Sequence, residues 1–490
     1  MNDSHDLELL FRSHIPIVAI TTREERRALD LVISLRERIA LPVFRWTVTE
    51  GLLRVEPGFS PQRHNLEPAD VLRHIKASSH PGIFVFLDFH PYLDDPINVR
   101  LLKDIAIGHD ERRQTLVFIS HSVEMPAELS GYCASFDLSL PDRQTISVIV
   151  REVAQDWSRE NAGLRVKADS AAFERLVDNL AGLTVAEVRR LARKAIYDDG
   201  AVSEQDLPAM MRAKYELLNK EGILHYEFET ELFANVGGLE RLKRWLEQRR
   251  RAFHATDSTL DLPKGILLLG VQGCGKSLAA KAVAGLWGIP LLRLDFGALF
   301  NKYHGETERN LRESLRAAQV MAPCVLWMDE IEKGVSGNDS DSGTSRRVLG
   351  ALLTWMAEND TPVFVVATAN DIEALPPELV RKGRLDEIFF VDLPDIAARV
   401  RIFDIHLGMR DFDSTRVNLI NLAQHSEGFS GAEIEQAVVA AHYTAHAQGS
   451  EVSEDILLGE LRQTRPLSVV MKERIDYLRD WARERTVPAD

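Results

Sequence analysis

The chain is poor in cysteine. Its 490 residues contain three, Cys133, Cys274 and Cys324. Three scattered thiols make neither a disulfide framework nor a zinc site, and they suit a reducing compartment. Long apolar runs are also missing. The longest, such as residues 83–87 and 362–367, have the length of buried strands and fall far short of the roughly 18 residues a membrane helix needs. The N-terminus, MNDSHDLELL, is acidic and has no basic stretch followed by an apolar core, so it is no secretory signal. The expected location is cytoplasmic, without membrane contact. Positive charge is in deficit: 59 Lys and Arg stand against 74 Asp and Glu, a net of −15. Neutralising a phosphate backbone takes a basic face, so nucleic acid is not an expected partner. No His-Glu-x-x-His pattern occurs, which excludes a zinc protease of that type.

What is present is a series of short Val/Ile/Leu/Phe runs separated by helical patterns. Residues 15–21, 83–88 and 115–120 form one series. Residues 265–270, 289–294, 324–329 and 363–368 form another. Buried strands alternating with helices imply parallel α/β sheets. The two series resemble each other. TLVFISHS at 115–122 matches TPVFVVAT at 361–368, and MPAELS at 125–130 matches LPPELV at 375–380. LSLPD at 138–142 matches VDLPD at 391–395, and residues 182–195 match 428–441. The order is kept and the offset is nearly constant, which points to an internal duplication.

Chemistry concentrates in the second copy. Gly270-Val-Gln-Gly-Cys-Gly-Lys-Ser277 fits G-x-x-x-x-G-K-[ST] between an apolar strand and a helical pattern. Glycines there let backbone N–H groups wrap phosphates at a helix N-terminus. Lys276 would reach the β- and γ-phosphates, and the Ser277 hydroxyl would ligate Mg²⁺. A strand ending in Asp329-Glu330 follows, 52 residues after Ser277. Asp329 would hold the metal and Glu330 would polarise the attacking water. Asn370 ends the next strand, either as a turn former or to orient that water. Arg381 and Arg384 are solvated surface charges or arginine fingers offered to a neighbouring subunit. Cys274 fills a free position of the loop, where oxidation would block phosphate. Residues 334–345, GVSGNDSDSGTS, read as a flexible loop. In the tail, Val470, Ile475, Leu478 and Trp481 fall at helical spacing and suggest an amphipathic helix packed on its own domain.

Together these residues resemble an AAA ATPase of the AAA+ superfamily, from Asn235-Val-Gly-Gly238 to Gly428-Phe-Ser-Gly-Ala432. Katanin and spastin share the overall pattern. Residues 237–249, 329–337, 365–394 and 465–485 more closely resemble a branch encoded as a hypothetical open reading frame in algal chloroplast genomes, with cyanobacterial and bacterial homologues. The resemblance implies a P-loop module, a parallel sheet between helices with a helical lid, preceded by a degenerate AAA-like α/β domain. The boundaries expected are 1–200 for that domain, 201–230 for a linker with a helix near 207–221, and 231–395 for the large ATPase subdomain. The lid would span 396–465 and a C-terminal helix 466–490. By position, Gly270, Gln272, Gly273, Cys274, Gly275, Lys276, Ser277 and Leu278 resemble Walker A. Asp329 and Glu330 resemble Walker B, Asn370 resembles sensor 1, and Arg381 and Arg384 the arginine fingers. Val236 and Gly237 resemble part of the strap over the adenine. His406 resembles the histidine near the base, and Gly431-Ala432 the sensor-2 turn. Tyr303 and His304 resemble a pore loop that grips polypeptide through an aromatic ring. ATP and Mg²⁺ are the implied ligands, a homohexameric ring the implied assembly.

The first copy departs from this pattern. Thr21-Thr-Arg-Glu-Glu-Arg26 stands where the glycine loop belongs, and Phe89 stands where Glu330 does. Residues 1–200 are expected to bind no nucleotide productively. Asp88 and His90 alone are too few for a metal site. Two functions follow as expectations. One is an ATP-driven ring that remodels, unfolds or disassembles a protein or complex. The other is an ATP-dependent switch whose inactive N-terminal domain docks a partner protein.

Overall fold

A computed structural model of the chain describes residues 3–56, 59, 65–203, 206–218, 223–227, 236–254, 260–301, 307–335, 342–379, 381 and 383–490. They divide into two compact units, Met1–Val202 and Ser203–Asp490.

The first unit is built on β1 (Ile17–Thr21), β2 (Val43–Thr47), β3 (Gly51–Arg54), β4 (Gly82–Leu87), β5 (Gln114–Ser120) and β6 (Cys133–Phe136). Their order is β3-β2-β4-β5-β1-β6, parallel except for the hairpin strand β3. β4 and β5 are buried along their whole length, as expected of central strands covered on both faces. Side chains alternate between two apolar layers. Phe84, Phe86, Leu116 and Phe118 meet Trp46 on one side, and Ile83, Val85, Val117 and Ile119 meet Val18 and Ile20 on the other. Helices Arg143–Glu160, Ser170–Asn179 and Val185–Asp199 follow, with β7 (Lys167–Ala168) paired to β8 (Ala201–Val202).

The second unit contains β9 (Leu224–Glu227), β10 (Gly265–Gly270), β11 (Leu291–Leu294), β12 (Cys324–Met328), β13 (Val363–Ala369), β14 (Glu387–Val391) and β15 (Val487–Pro488). The order is β15-β14-β10-β13-β12-β11-β9, and only β9 is antiparallel. Helices Ile396–Gly408, Leu419–His425, Gly431–Ala447 and Glu454–Gln463 close around Phe403, Leu422, Ile434 and Leu457 to form the lid.

The duplication is visible in the topology. β6-β1-β5-β4-β2 and β14-β10-β13-β12-β11 both run fifth, first, fourth, third, second in chain order. Register refines the sequence match. Leu87 pairs with Ile119 and Met328 with Ala367, so Asp88 corresponds to Asp329 and Ser120 to Thr368. That is two residues away from the alignment of TLVFISHS with TPVFVVAT. The helical parts keep the sequence offset: Thr184 and Glu187 form a capping box, as do Ser430 and Glu433.

Three local expectations need correction. Residues 201–230 are not merely a linker: helix Asp206–Leu218 buries Met211 in the core of the second unit, and β9 adds to the edge of its sheet. The Gly/Ser-rich stretch 334–345 is helical at both ends, within Ile331–Val335 and Ser342–Glu358, and residues 336–341 lie outside the described residues. In the tail, Ile475 and Leu478 are buried, but Val470 is 68% exposed, because helix Leu467–Val470 ends before Lys472–Ala482 begins. Among the described residues no helix is long and apolar enough to cross a membrane.

Candidate nucleotide site

The loop after β10 is shaped by glycine. Gly270 has φ +155°, and a Cβ there would lie 2.0 Å from the Val391 carbonyl oxygen, so no side chain fits. Gly273 and Gly275 also have positive φ and turn the chain into helix Lys276–Trp287. Lys276 is buried, and its Nζ donates to the carbonyls of Gly270 at 2.9 Å and Val271 at 2.7 Å. Burial pulls its pKa down to about 8. Gln272 is exposed, while Cys274 and Leu278 pack against the core beneath. Burial raises the Cys274 thiol to about 12, which keeps it protonated.

The acids converge on this loop. Ser277 Oγ donates to Asp329 Oδ1 at 3.2 Å. Thr368 Oγ1 donates to the same oxygen at 2.6 Å and accepts from the Glu330 amide at 2.9 Å. Glu330 itself sits at φ +47°, a left-handed turn straight after β12. Its Oε1 accepts from Asn370 Nδ2 at 3.1 Å, and its Oε2 pairs with Lys333. The Asn370 amide donates to Glu332 Oε1 at 2.9 Å, and burial raises the Glu332 carboxyl pKa. A hydroxyl beside a carboxylate is a hard-oxygen donor set that fits Mg²⁺, and Ser277 and Asp329 are the residues that would hold it.

Known proteins resemble this chain along its whole length. An "Uncharacterized AAA domain-containing protein ycf46" of Trieres chinensis is 35% identical over 492 residues, covering 98% of this chain and 97% of that protein. One from Pyropia yezoensis is 35% identical and covers 98% of each. The chain belongs to the AAA ATPase family. The model of the ATPase family associated with various cellular activities matches residues 266–393. Those of the SpoVK-like AAA ATPase N-terminal domain and second domain match 3–138 and 144–221. A proteasome-activating nucleotidase of Aeropyrum pernix is 33% identical over 326 residues, 63% of this chain and 75% of that protein.

In this AAA ATPase the lid reaches the loop directly: the Ala432 amide donates to the Gly273 carbonyl at 3.0 Å. Ile402 lies against both Gly237 and Gly431. A Cβ on Gly237 would meet Ile402 Cγ1 at 2.7 Å, and one on Gly431 would lie 3.7 Å from its Cδ1. Val236 is buried, and its carbonyl accepts from Lys243 Nζ at 2.9 Å. His406 lies one helical turn beyond Ile402. Among the described residues its buried Nδ1 has no hydrogen-bond partner, and burial keeps the ring below the usual imidazole pKa, hence neutral.

Other sequence-derived candidates stay apart. Arg381 is exposed, and Arg384 is tied to the Glu378 carbonyl. Both lie on the segment between β13 and β14. Tyr303 and His304 fall outside the described residues, as does Asn235.

Several contributors were not singled out from sequence. Thr368, Glu332 and Lys333 complete the acid network. The tail lines the same cavity of about 360 Å³ as Glu330 and Asn370, through Leu467, Met471 and Arg474 among others. Arg474 pairs with Asp371 at 2.8 Å, and Arg479 forks onto both oxygens of Asp392 at 2.8 Å each. The Leu467 amide donates to Glu433 Oε1 at 2.7 Å. β15 lies beside β14, and beyond it the Ala489 carbonyl accepts from the amides of Arg241 and Leu242. The Asp490 carboxylate accepts from the Leu239 amide, directly after Gly238.

Proposed function

We propose that this AAA ATPase hydrolyses Mg-ATP at the Lys276–Ser277–Asp329–Glu330 site and works as a homo-oligomeric ring, a hexamer by family resemblance, that remodels, unfolds or disassembles a protein or complex. The observation that carries the hydrolytic reading is the pair of contacts on Glu330. Asn370 holds one carboxylate oxygen and the Thr368 hydroxyl fixes the backbone amide, which aims the acid as a base for water. Bound Mg²⁺ supplies charge neutralisation at the β- and γ-phosphates. Lys276 exchanges two carbonyls for phosphate oxygens, and the loop amides take the rest of the negative charge. Arg381 and Arg384 complete the site of a neighbouring subunit. Tyr303, with His304 beside it, would grip the polypeptide in the ring.

The remodelling reading is supported by the likeness to a proteasome-activating nucleotidase. The switch reading draws on the first unit. There the Glu24 amide closes a turn onto Thr22 Oγ1, and Glu24 and Glu25 open the next helix. Acids at that helix N-terminus repel phosphate. A first unit without a phosphate cradle suits partner docking.

Glu330→Gln tests the chemistry. Turnover should fall by about 10²–10⁴-fold with ATP still bound, the range for loss of a general base. Turnover within tenfold of wild type would remove Glu330 from the mechanism. Mixing tests the ring. Lys276→Ala and Arg381→Ala chains should each be inactive alone and recover activity together, because an intact site then forms between unlike subunits. No recovery would mean that Arg381 is not donated across an interface. Tyr303→Ala, with basal ATPase retained, should abolish remodelling but leave a switch intact.

A further inference from the structure

The first unit carries a cluster that the nucleotide site does not use. Asp88 and His90 follow β4, and His121 follows β5. Each offers a ligand atom, and all three lie within 4.8 Å of one another. The two imidazole rings stand nearly perpendicular, at 86°, with centroids 4.7 Å apart. Ser120 sits among them. Its Oγ lies 3.1 Å from Asp88 Oδ1, 2.8 Å from His90 Nδ1 and 3.4 Å from His121 Nδ1.

A hydroxyl has one proton to give. Ser120 donates to the Asp88 carboxylate, so it accepts from His90 Nδ1–H. That tautomer leaves His90 Nε2 with its lone pair free. An imidazole whose second nitrogen bonds a protein oxygen is the usual outer-shell arrangement at metal sites.

The second unit supplies an internal comparison. Ser120 on Asp88 repeats Thr368 on Asp329, so the cluster occupies the sheet edge where the other unit puts its acids. By the same register, His90 and His121 stand where the second unit has Ile331 and Ala369. Those two residues are buried and apolar, 1% and 0% exposed. His90 is only half-buried and His121 is exposed. Phe89 occupies the place of Glu330 and has turned into the core against Trp46, Phe86 and Phe118. The first unit has thus replaced a catalytic acid and two core residues by one core ring and two accessible imidazoles.

We propose that Asp88, His90 and His121 bind a divalent transition-metal ion of the zinc type in the first unit. Two imidazoles and one carboxylate suit zinc with a water in the fourth position. Mg²⁺ and Ca²⁺ favour all-oxygen sites, which separates this cluster from the Ser277–Asp329 site.

The test uses the untagged full-length chain, free of nucleotide and in excess Mg²⁺, titrated with Zn²⁺ against a chromophoric chelator. Wild type should take up one zinc per chain. His90→Ala and His121→Ala should each weaken binding by at least tenfold. Ser120→Ala should weaken it by about 10–100-fold, the outer-shell range. His80→Ala, an exposed histidine outside the cluster, should match wild type. Co²⁺ gives a second readout: a visible d–d spectrum that His121→Ala abolishes. Circular dichroism and basal ATPase check folding, and His121, being exposed, is the least disruptive change. Zinc uptake by His121→Ala and His90→Ala equal to wild type, or none by wild type, overturns the proposal.

Discussion

Thr368→Val keeps the shape of the side chain and removes one hydroxyl. Thr368 is 1% exposed, and its Oγ1 serves two partners, Asp329 Oδ1 at 2.6 Å and the Glu330 amide at 2.9 Å. A hydrogen bond to a charged group contributes about 1.5–3 kcal/mol, and a stranded buried donor costs about 1–3 kcal/mol. Asp329 and Glu330 are only half-buried, so water replaces part of this and the lower part of the range applies. The expected loss is about 2–4 kcal/mol. At about 2–4 °C per kcal/mol, melting of the ATPase unit falls by roughly 5–15 °C. Scanning calorimetry with and without ATP identifies that transition, since only it should respond to nucleotide. Turnover should fall with it, because one hydroxyl positions both acids. Thr368→Ser keeps the hydroxyl and should restore turnover even where the lost methyl costs stability. A Thr368→Val chain with wild-type melting and wild-type turnover would refute the reasoning: the bridge would then orient nothing.

Lys276 predicts a pH dependence. Its pKa in the fold is about 8 against 10.5 for the free side chain, so between those values the unfolded chain binds more protons. Stability of the nucleotide-free chain therefore rises from about pH 8 to 10.5 through this group, and Lys276→Met should flatten that rise relative to wild type. Phosphate restores the preference for the ammonium, so ATP affinity should be level below pH 8 and weaken towards about tenfold per pH unit above it. Calorimetric titration at pH 7, 8 and 9 reads this, and a level profile to pH 9 contradicts it. Gly270→Ala should prevent stable folding of the ATPase unit, because the new Cβ would lie 2.0 Å from the Val391 oxygen. A soluble Gly270→Ala chain with wild-type melting would mean that the loop backbone can move.

The glycine loop and the two acids were legible in the sequence because phosphate wrapping and water activation leave few choices of residue and spacing. The duplication was legible as well, but its register was not. An apolar string can slide two places and still look alike, whereas Ser120 and Thr368 are fixed by what they bond. Several outer strands escaped notice for a related reason. β2, β3 and β9 are short and only partly buried, and β15 is two residues long, so none carries a strong periodic signal. His121 was passed over because its partners come from a different strand. Convergence of β4 and β5 at one sheet edge is a property of topology, not of spacing along the chain.

The contacts around the nucleotide loop also close on themselves. Gly273 holds Ala432, and the same helix start places Glu433 on Leu467. The tail then carries Arg474 to Asp371, next to Asn370. Asn370 holds Glu330, which leads through Thr368 and Asp329 back to Ser277. A closed circuit has fewer independent motions than an open chain of the same parts. Lid, tail and acids are therefore expected to move as one linkage, so that displacing the tail should change nucleotide affinity, with the reverse holding equally. In a double-mutant cycle on ATP affinity, Glu433→Ala and Arg474→Met should couple by about 0.5–3 kcal/mol. Strict additivity would mean that the circuit is open. A partner that captures residues 467–482 would then have no hold on hydrolysis, whereas in the closed linkage it holds the throttle.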